Sequence, residues 1–214
     1  MKRYSKVLVS FTLITLLLVP VAISQDLKLI TLPEPQTDIG MPLMQALQLR
    51  KSIREYSTKE LPPQELSNLL WAGWGINRPD GHRTAPSTSN MQEIDVFVVL
   101  EEGAYRYNPQ ENTLEPIVSG DIRAATGRGF AATAPLTLVF VADFTKMRGD
   151  DRNRKITTSS VDTGFISQNV YLYCASQGLA TVVRGSVNRD ECAKALNLGP
   201  DQYVTYAQSV GYPN

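Results

Sequence analysis

The chain has 214 residues, enough for one sizeable hydrophobic core. Lys plus Arg and Asp plus Glu balance at 21 each, which argues against a nucleic-acid surface, since such a surface carries a net basic excess. One histidine, His82, and two cysteines, Cys174 and Cys192, are too few for a structural metal cluster or a histidine-based nucleophilic triad, so no metal is expected.

In chain order, residues 1–6 are basic, residues 7–19 are apolar, and Ala22-Ile23-Ser24 offers small residues to a signal peptidase. This reads as a signal peptide over 1–24 and a secreted or periplasmic mature protein. The alternative is an uncleaved membrane anchor, although the apolar run is short of the roughly 20 residues a spanning helix needs. Residues 25–41 are punctuated by proline and read as an extended arm, leaving 42–214 as one domain. Helical periodicity covers 43–49, and 63–72 opens with Pro in its first turn and carries an apolar stripe. Residues 78–90 form a loop rich in Pro, Gly, Ser and Thr. A buried strand is expected over 94–100, a hairpin over 104–108 and 113–118, and a second buried strand over 136–142. The basic stretch 148–155 reads as a solvated turn. A long helix is expected over 161–176, closed by Gly178, then a strand over 179–184, a short helix over 189–196 and a last strand over 203–210. Strands and helices mix without a regular βαβ alternation, so the class is α+β. Trp71 and Trp74 read as core, and the two cysteines as free thiols.

Arg50-Lys51-Ser52-Ile53-Arg54 concentrates three cations and a hydroxyl in five residues. Charge-assisted hydrogen bonds hold a phosphate monoester best, and the planar Arg fork matches two oxygens at once. A helical turn would put Arg50 and Arg54 on one side. Read alone, the cluster is also compatible with a solvated basic helix end beside Glu55 and Glu60.

The order of that cluster, then Trp71-Ala72-Gly73-Trp74-Gly75-Ile76-Asn77, Pro86-Ser87-Thr88-Ser89-Asn90-Met91-Gln92, Asp162-Thr163-Gly164-Phe165-Ile166-Ser167-Gln168-Asn169-Val170-Tyr171 and Gln177-Gly178-Leu179-Ala180-Thr181, resembles the nitroreductase family of FMN-dependent oxidoreductases. The resemblance runs from about 43 to 213 and is closest to the branch containing the dehydrogenase domains of azoline-forming systems. It implies a central mixed, mainly antiparallel sheet flanked by helices in an intertwined homodimer, with FMN as cofactor. Carried over, Arg50, Lys51, Ser52 and Arg54 grip the phosphate and ribityl chain. Pro86, Ser87, Asn90 and Gln92 form a loop whose Asn90 reaches the flavin of the partner subunit. Leu179, Ala180 and Thr181 present main-chain N–H groups near flavin N5. The family's cation beyond the last strand has no counterpart before Asn214, and Arg184 or a residue of 148–155 is the expected substitute. The absence of a G-x-G-x-x-G turn favours FMN over a dinucleotide. The implied reaction is hydride transfer through flavin N5 to or from a small organic substrate of nitro or quinone type, with no catalytic side chain. A flavin-binding protein without turnover, and a flavin dehydrogenase acting on a modified peptide, are the alternatives.

Overall fold

The computed structural model describes residues 27–214; the expected signal peptide lies outside the described residues. Among the described residues no helix is long and apolar enough to cross a membrane.

The sheet is organised around β5 (Leu136–Asp143), whose run Leu-Thr-Leu-Val-Phe-Val-Ala is buried throughout. A strand covered on both faces reads as a continuous apolar run rather than an alternation. It pairs with β2 (Ile94–Val99) on one side and β7 (Gln202–Gly211) on the other. The hairpin β3 (Gly103–Asn108) and β4 (Thr113–Ser119) extends the β2 side, and β1 (Ile30–Thr31) adds beyond β4. At the opposite edge β6 (Ala180–Arg184) pairs with β7. The order is β1-β4-β3-β2-β5-β7-β6, and each of these pairings is antiparallel.

Strand alternation divides the core in two. Val96, Val98, Leu138 and Phe140 face a layer built by α2 (Pro63–Trp74) and α5 (Arg152–Gln177), through Leu66, Leu69, Leu70, Trp74, Ile166, Val170 and Cys174. Phe97, Val99, Val139 and Val141 face the opposite side, covered by Cys192 and Leu196 at α6 (Arg189–Ala195). The short α1 (Leu43–Leu49) packs on α5, while α3 (Arg123–Thr126) and α4 (Phe130–Thr133) are single turns before β5.

The fold corrects two expectations. The long helix begins at Arg152, not 161, so the second half of the supposed basic turn is helix. Asp151 caps it by accepting from the N–H groups of Asn153 and Arg154, and Gly178 closes it at φ 69. The segment 50–54 is not a helical turn: α1 stops at Leu49, and Arg50 takes φ −56 and ψ 122. Trp74 is core as expected, whereas Trp71 is half-buried and donates its indole N–H to Ile76 O. Both cysteines are free and buried, and burial pushes the Cys192 thiol up to about 11.

The arm ahead of α1 is tied down by named bonds. Leu32 N–H donates to Asn112 O at 3.0 Å, and Gln36 N–H donates to Asn68 Oδ1 at 2.8 Å. Asn112 holds the turn after β3 at φ 48 and sends its Nδ2–H to Pro33 O at 2.8 Å and to Ser67 Oγ at 3.2 Å. Asn112→Ala strips these bonds and the side chain that tolerates left-handed backbone. Urea unfolding should show a loss of about 1–3 kcal/mol, with faster proteolysis of the arm; an unchanged midpoint would show that the arm contributes nothing to stability.

Candidate flavin site

Just after α1 the chain passes along the outer edge of β6. Ile53 N–H donates to Thr181 O at 3.0 Å, so the basic segment is docked on the edge strand by main chain. Tyr171 of α5 secures it a second time. Its hydroxyl accepts from Val183 N–H at 3.0 Å and shares a hydrogen bond with Ser52 Oγ at 2.8 Å, while the guanidinium of Arg50 lies 5.3 Å from its ring centroid. Arg50 and Ser52 thus meet one tyrosine, although no helical turn puts them there. Tyr56 adds a third tie, its hydroxyl donating to Ile53 O at 2.9 Å. Burial raises the pKa of that hydroxyl, so it stays a donor.

A cavity of about 500 Å³ opens beside this segment, lined by Lys51, Ile53, Tyr171, Cys174, Gly178 and Thr181 among others. Among the described residues, Arg50, Lys51 and Arg54 form no ion pair with a carboxylate. Lys51, Ser52 and Arg54 are exposed, so their cationic and hydroxyl groups remain available to an anion. Leu179, Ala180 and Thr181 lie beside the same cavity or in the strand behind it, but their side chains are buried. Leu179 N–H is spent on Cys174 O, and Thr181 Oγ1 donates to Ser209 O at 2.8 Å. Here the backbone of the edge strand, not the side chains, is what a ligand could reach.

The second half of the site is the loop ahead of β2. Ser89, Asn90 and Gln92 take φ values of 53, 53 and 50. Gln92 organises it: its N–H donates to Ser87 Oγ, and its side-chain amide donates to Gly81 O and Asn90 Oδ1 while accepting from Arg83 Nε. Arg83 in turn stacks over Trp74, at 5.2 Å from the ring centroid. Pro86 and Asn90 are exposed, and the NH₂ of Asn90 has no partner among the described residues. The loop is anchored on α5 by Asp162, which accepts from Thr88 N–H at 2.8 Å and Thr88 Oγ1 at 3.1 Å. Behind Asp162 stands Glu93, fully buried, with neither carboxyl oxygen bonded to a partner that satisfies it. Burial, and after it the neighbouring Asp162, raise its pKa from 4.5 to about 7, against opposing pulls from a backbone N–H and, more weakly, from Lys146. Neither Tyr171 nor the Glu93–Asp162 pair was singled out by sequence; the Asp162-to-Tyr171 motif contained two of them without revealing their roles.

The two halves are anchored at different turns of α5. From Asp162 to Tyr171 along α5 is about 14 Å, and from Asp162 to Gly178 about 24 Å, at 1.5 Å per residue. Val161, Gly164, Phe165 and Gln168 form an exposed stripe on α5, with Val161 53% and Phe165 44% exposed. Of the substitutes expected for the phosphate, Arg152 and Lys155 sit at the far end of α5 over the Phe144 ring. Arg184 is 7% exposed and bonded inward, so it does not join the basic segment.

The sequence matches the Nitroreductase family model over residues 47–212. A protein of Methanocaldococcus jannaschii whose name assigns it to the nitroreductases is 31% identical over 163 residues, covering 70% of this chain and 81% of the relative. A Ralstonia eutropha crystal structure described as a nitroreductase superposes with TM-score 0.83 at 44% identity, covering 91% of this chain and 92% of that one. The fold also matches a chain of the Escherichia coli microcin synthetase McbBCD complex, with TM-score 0.66 at 20% identity, covering 94% of this chain and 84% of that one.

Glu93 makes the loop anchor sensitive to pH. Its folded pKa lies above the unfolded value, so the folded protein keeps a proton that the unfolded chain has released between about pH 4.5 and 7. The contribution is therefore fully present below 4.5 and is lost as pH rises through about 7. Urea midpoints should fall across this window, and Glu93→Gln should flatten the profile and exceed wild type by about 1–3 kcal/mol at alkaline pH. Parallel profiles for the two proteins would remove Glu93 as the titrating group.

Proposed function

Because the chain belongs to the nitroreductase family, we propose that it is an FMN-dependent oxidoreductase acting as a homodimer outside the cytoplasm on a small organic substrate of nitro or quinone type. The observation that carries the cofactor is the set of three cations without carboxylate partners among the described residues, with a hydroxyl, beside a cavity of about 500 Å³. That donor set fits a monophosphate: two guanidinium forks, an ammonium and a neutral donor can divide the phosphate oxygens among them. FMN, when bound, supplies hydride exchange at its N5. The chain's own part is binding and positioning. Arg50 and Arg54 take the phosphate or the polar edge of the flavin, Ser52 adds a hydrogen bond, and Tyr171 keeps the segment in place.

The separation of the two anchors along α5 supports the homodimer. A two-fold pair of α5 helices crossing antiparallel through the exposed stripe would bring the Asn90 loop of one protomer to the basic segment of the other, and would bury Val161 and Phe165. The compartment rests on the leader-like residues 1–24.

Each arginine should contribute more to FMN than to riboflavin, because riboflavin lacks only the phosphate. A charge-assisted hydrogen bond is worth about 1.5–3 kcal/mol, so Arg50→Ala or Arg54→Ala should weaken FMN binding tenfold or more and leave riboflavin nearly unchanged. Fluorescence titration of the two flavins reads this directly; equal losses for both would mean that the arginines hold the ring or the fold. Anaerobically reduced holoprotein should be reoxidised by p-benzoquinone or a nitroaromatic in stopped flow, and inertness to both would leave a flavin carrier. A light-scattering monomer that retains FMN would sink the shared site.

A further inference from the structure

At the end of β6 lies a second cavity of about 400 Å³, between α3, α4 and the start of α6. It shares no lining residue with the first. Its charged wall is Arg184, the last residue of β6, only 7% exposed. The guanidinium is incompletely satisfied. Nη1–H donates to Thr126 O at 2.8 Å and Nη2–H reaches Ser209 Oγ at 3.4 Å, but buried Nε has no partner, and no carboxylate ion-pairs with it among the described residues. Burial depresses its pKa, as expected for a cation without a compensating anion. Such a group is costly, and native structures pair or bond it.

The surroundings are shaped to the guanidinium. A side chain at Gly127 would collide with Nη1 of Arg184, so glycine is what admits it. Arg128, exposed and likewise without an ion pair among the described residues, brings a second cation to the same cavity. Ala124, Ala125 and Phe130 supply apolar wall, and Ser186 a hydroxyl. The carboxylate that also lines the cavity, Glu191, is exposed and accepts from Asn188 Nδ2 at 3.1 Å, so it is engaged away from Arg184.

We propose that this cavity binds a small organic carboxylate, its anionic end on Arg184 and Arg128 and its apolar body against Ala124, Ala125 and Phe130. One partly satisfied buried guanidinium suits a monoanion, and the apolar wall suits a hydrocarbon body; inorganic phosphate would bring two charges and no apolar surface. The proposal does not depend on FMN, because the two cavities are lined by different residues.

The test is titration calorimetry of the purified protein, with and without FMN, using benzoate and hexanoate as carboxylate probes. Benzamide is the neutral isostere, and inorganic phosphate is the competing anion. At least one carboxylate should bind with one-to-one stoichiometry, and benzamide about tenfold or more weakly than benzoate, since it lacks the charge. Arg128→Ala, at an exposed position, should weaken the carboxylate about tenfold while leaving FMN titration unchanged. Arg184→Met should abolish it; if that variant does not fold, Gly127→Ala, which displaces the guanidinium, should weaken it instead. No heat from either carboxylate at millimolar concentration, equal binding of benzamide and benzoate, or unaltered affinity in the Arg128 variant would each overturn the proposal. So would phosphate binding that excludes both carboxylates.

Discussion

The site depends on α5 and on two hydrogen-bonding side chains it carries. Asp162 holds the loop that precedes β2, and Tyr171 holds the segment that follows α1. Neither segment has a long element of its own to fix it: one follows a seven-residue helix, and the other holds a single 3-10 turn at Thr88–Asn90 and three residues in left-handed backbone. A 26-residue helix packed against α1, α2 and the strands β2, β5, β6 and β7 is the rigid element from which both are positioned. The same rigidity keeps them apart, since the anchors project from different turns of one rod. The proposed homodimer would draw them from two copies of the helix, which is why binding and association are tied in the proposed function.

Magnitudes show how much the loop owes to its anchor. Non-glycine residues in left-handed backbone cost about 1–2 kcal/mol each, so Ser89, Asn90 and Gln92 together impose several kcal/mol, reduced by the tolerance of Asn for that region. Two hydrogen bonds to a carboxylate return about 1.5–3 kcal/mol each, and the Gln92 bonds to Ser87, Gly81 and Asn90 return more. The terms are comparable, so the loop keeps its shape only while Asp162 accepts both Thr88 bonds. A second negative charge on Glu93, fully buried beside it, works against the anchor by repulsion and unsolvated charge.

Sequence resolved the elements whose signals are local. The apolar run of β5, the Pro63 start of α2 and the Gly178 stop of α5 follow from period, ring constraint and left-handed backbone, and each lies within about a residue or two of its expected place. It failed where tertiary contacts decide. The charged stretch 148–155 concealed an Asp151 cap with two backbone bonds, a start signal outweighed in the reading by the density of charge. The 50/54 spacing would put both arginines on one side of a helical turn, but Ile53 is claimed by the edge of β6 and α1 stops at Leu49. The site residues Arg50, Lys51, Ser52 and Arg54 were legible because cations clustered in sequence. Glu93 and Arg184 were not, because a single charge bordering or ending an apolar strand gives no sign of whether it is buried or solvated. For the segment 179–181, motif position pointed to the right strand, but burial of the three side chains leaves only its backbone for a ligand.

β6 carries the last consequence. It is an edge strand, and an edge exposes unpaired N–H and C=O groups that invite a foreign strand. Here the basic segment covers it: Ile53 N–H meets Thr181 O, and the Tyr171 hydroxyl meets Val183 N–H. The segment that would hold a phosphate is therefore also the one docked on the edge strand. An anion held by Arg50, Lys51 and Arg54 relieves repulsion among three clustered cations and so favours the docked segment over the released one, by mass action on the bound state alone. Without that anion, the segment is held by a few hydrogen bonds of about 1 kcal/mol each, and its release uncovers the edge of the same strand. Ligand binding and edge protection are in this way coupled through the contacts of Ser52, Ile53 and Tyr171.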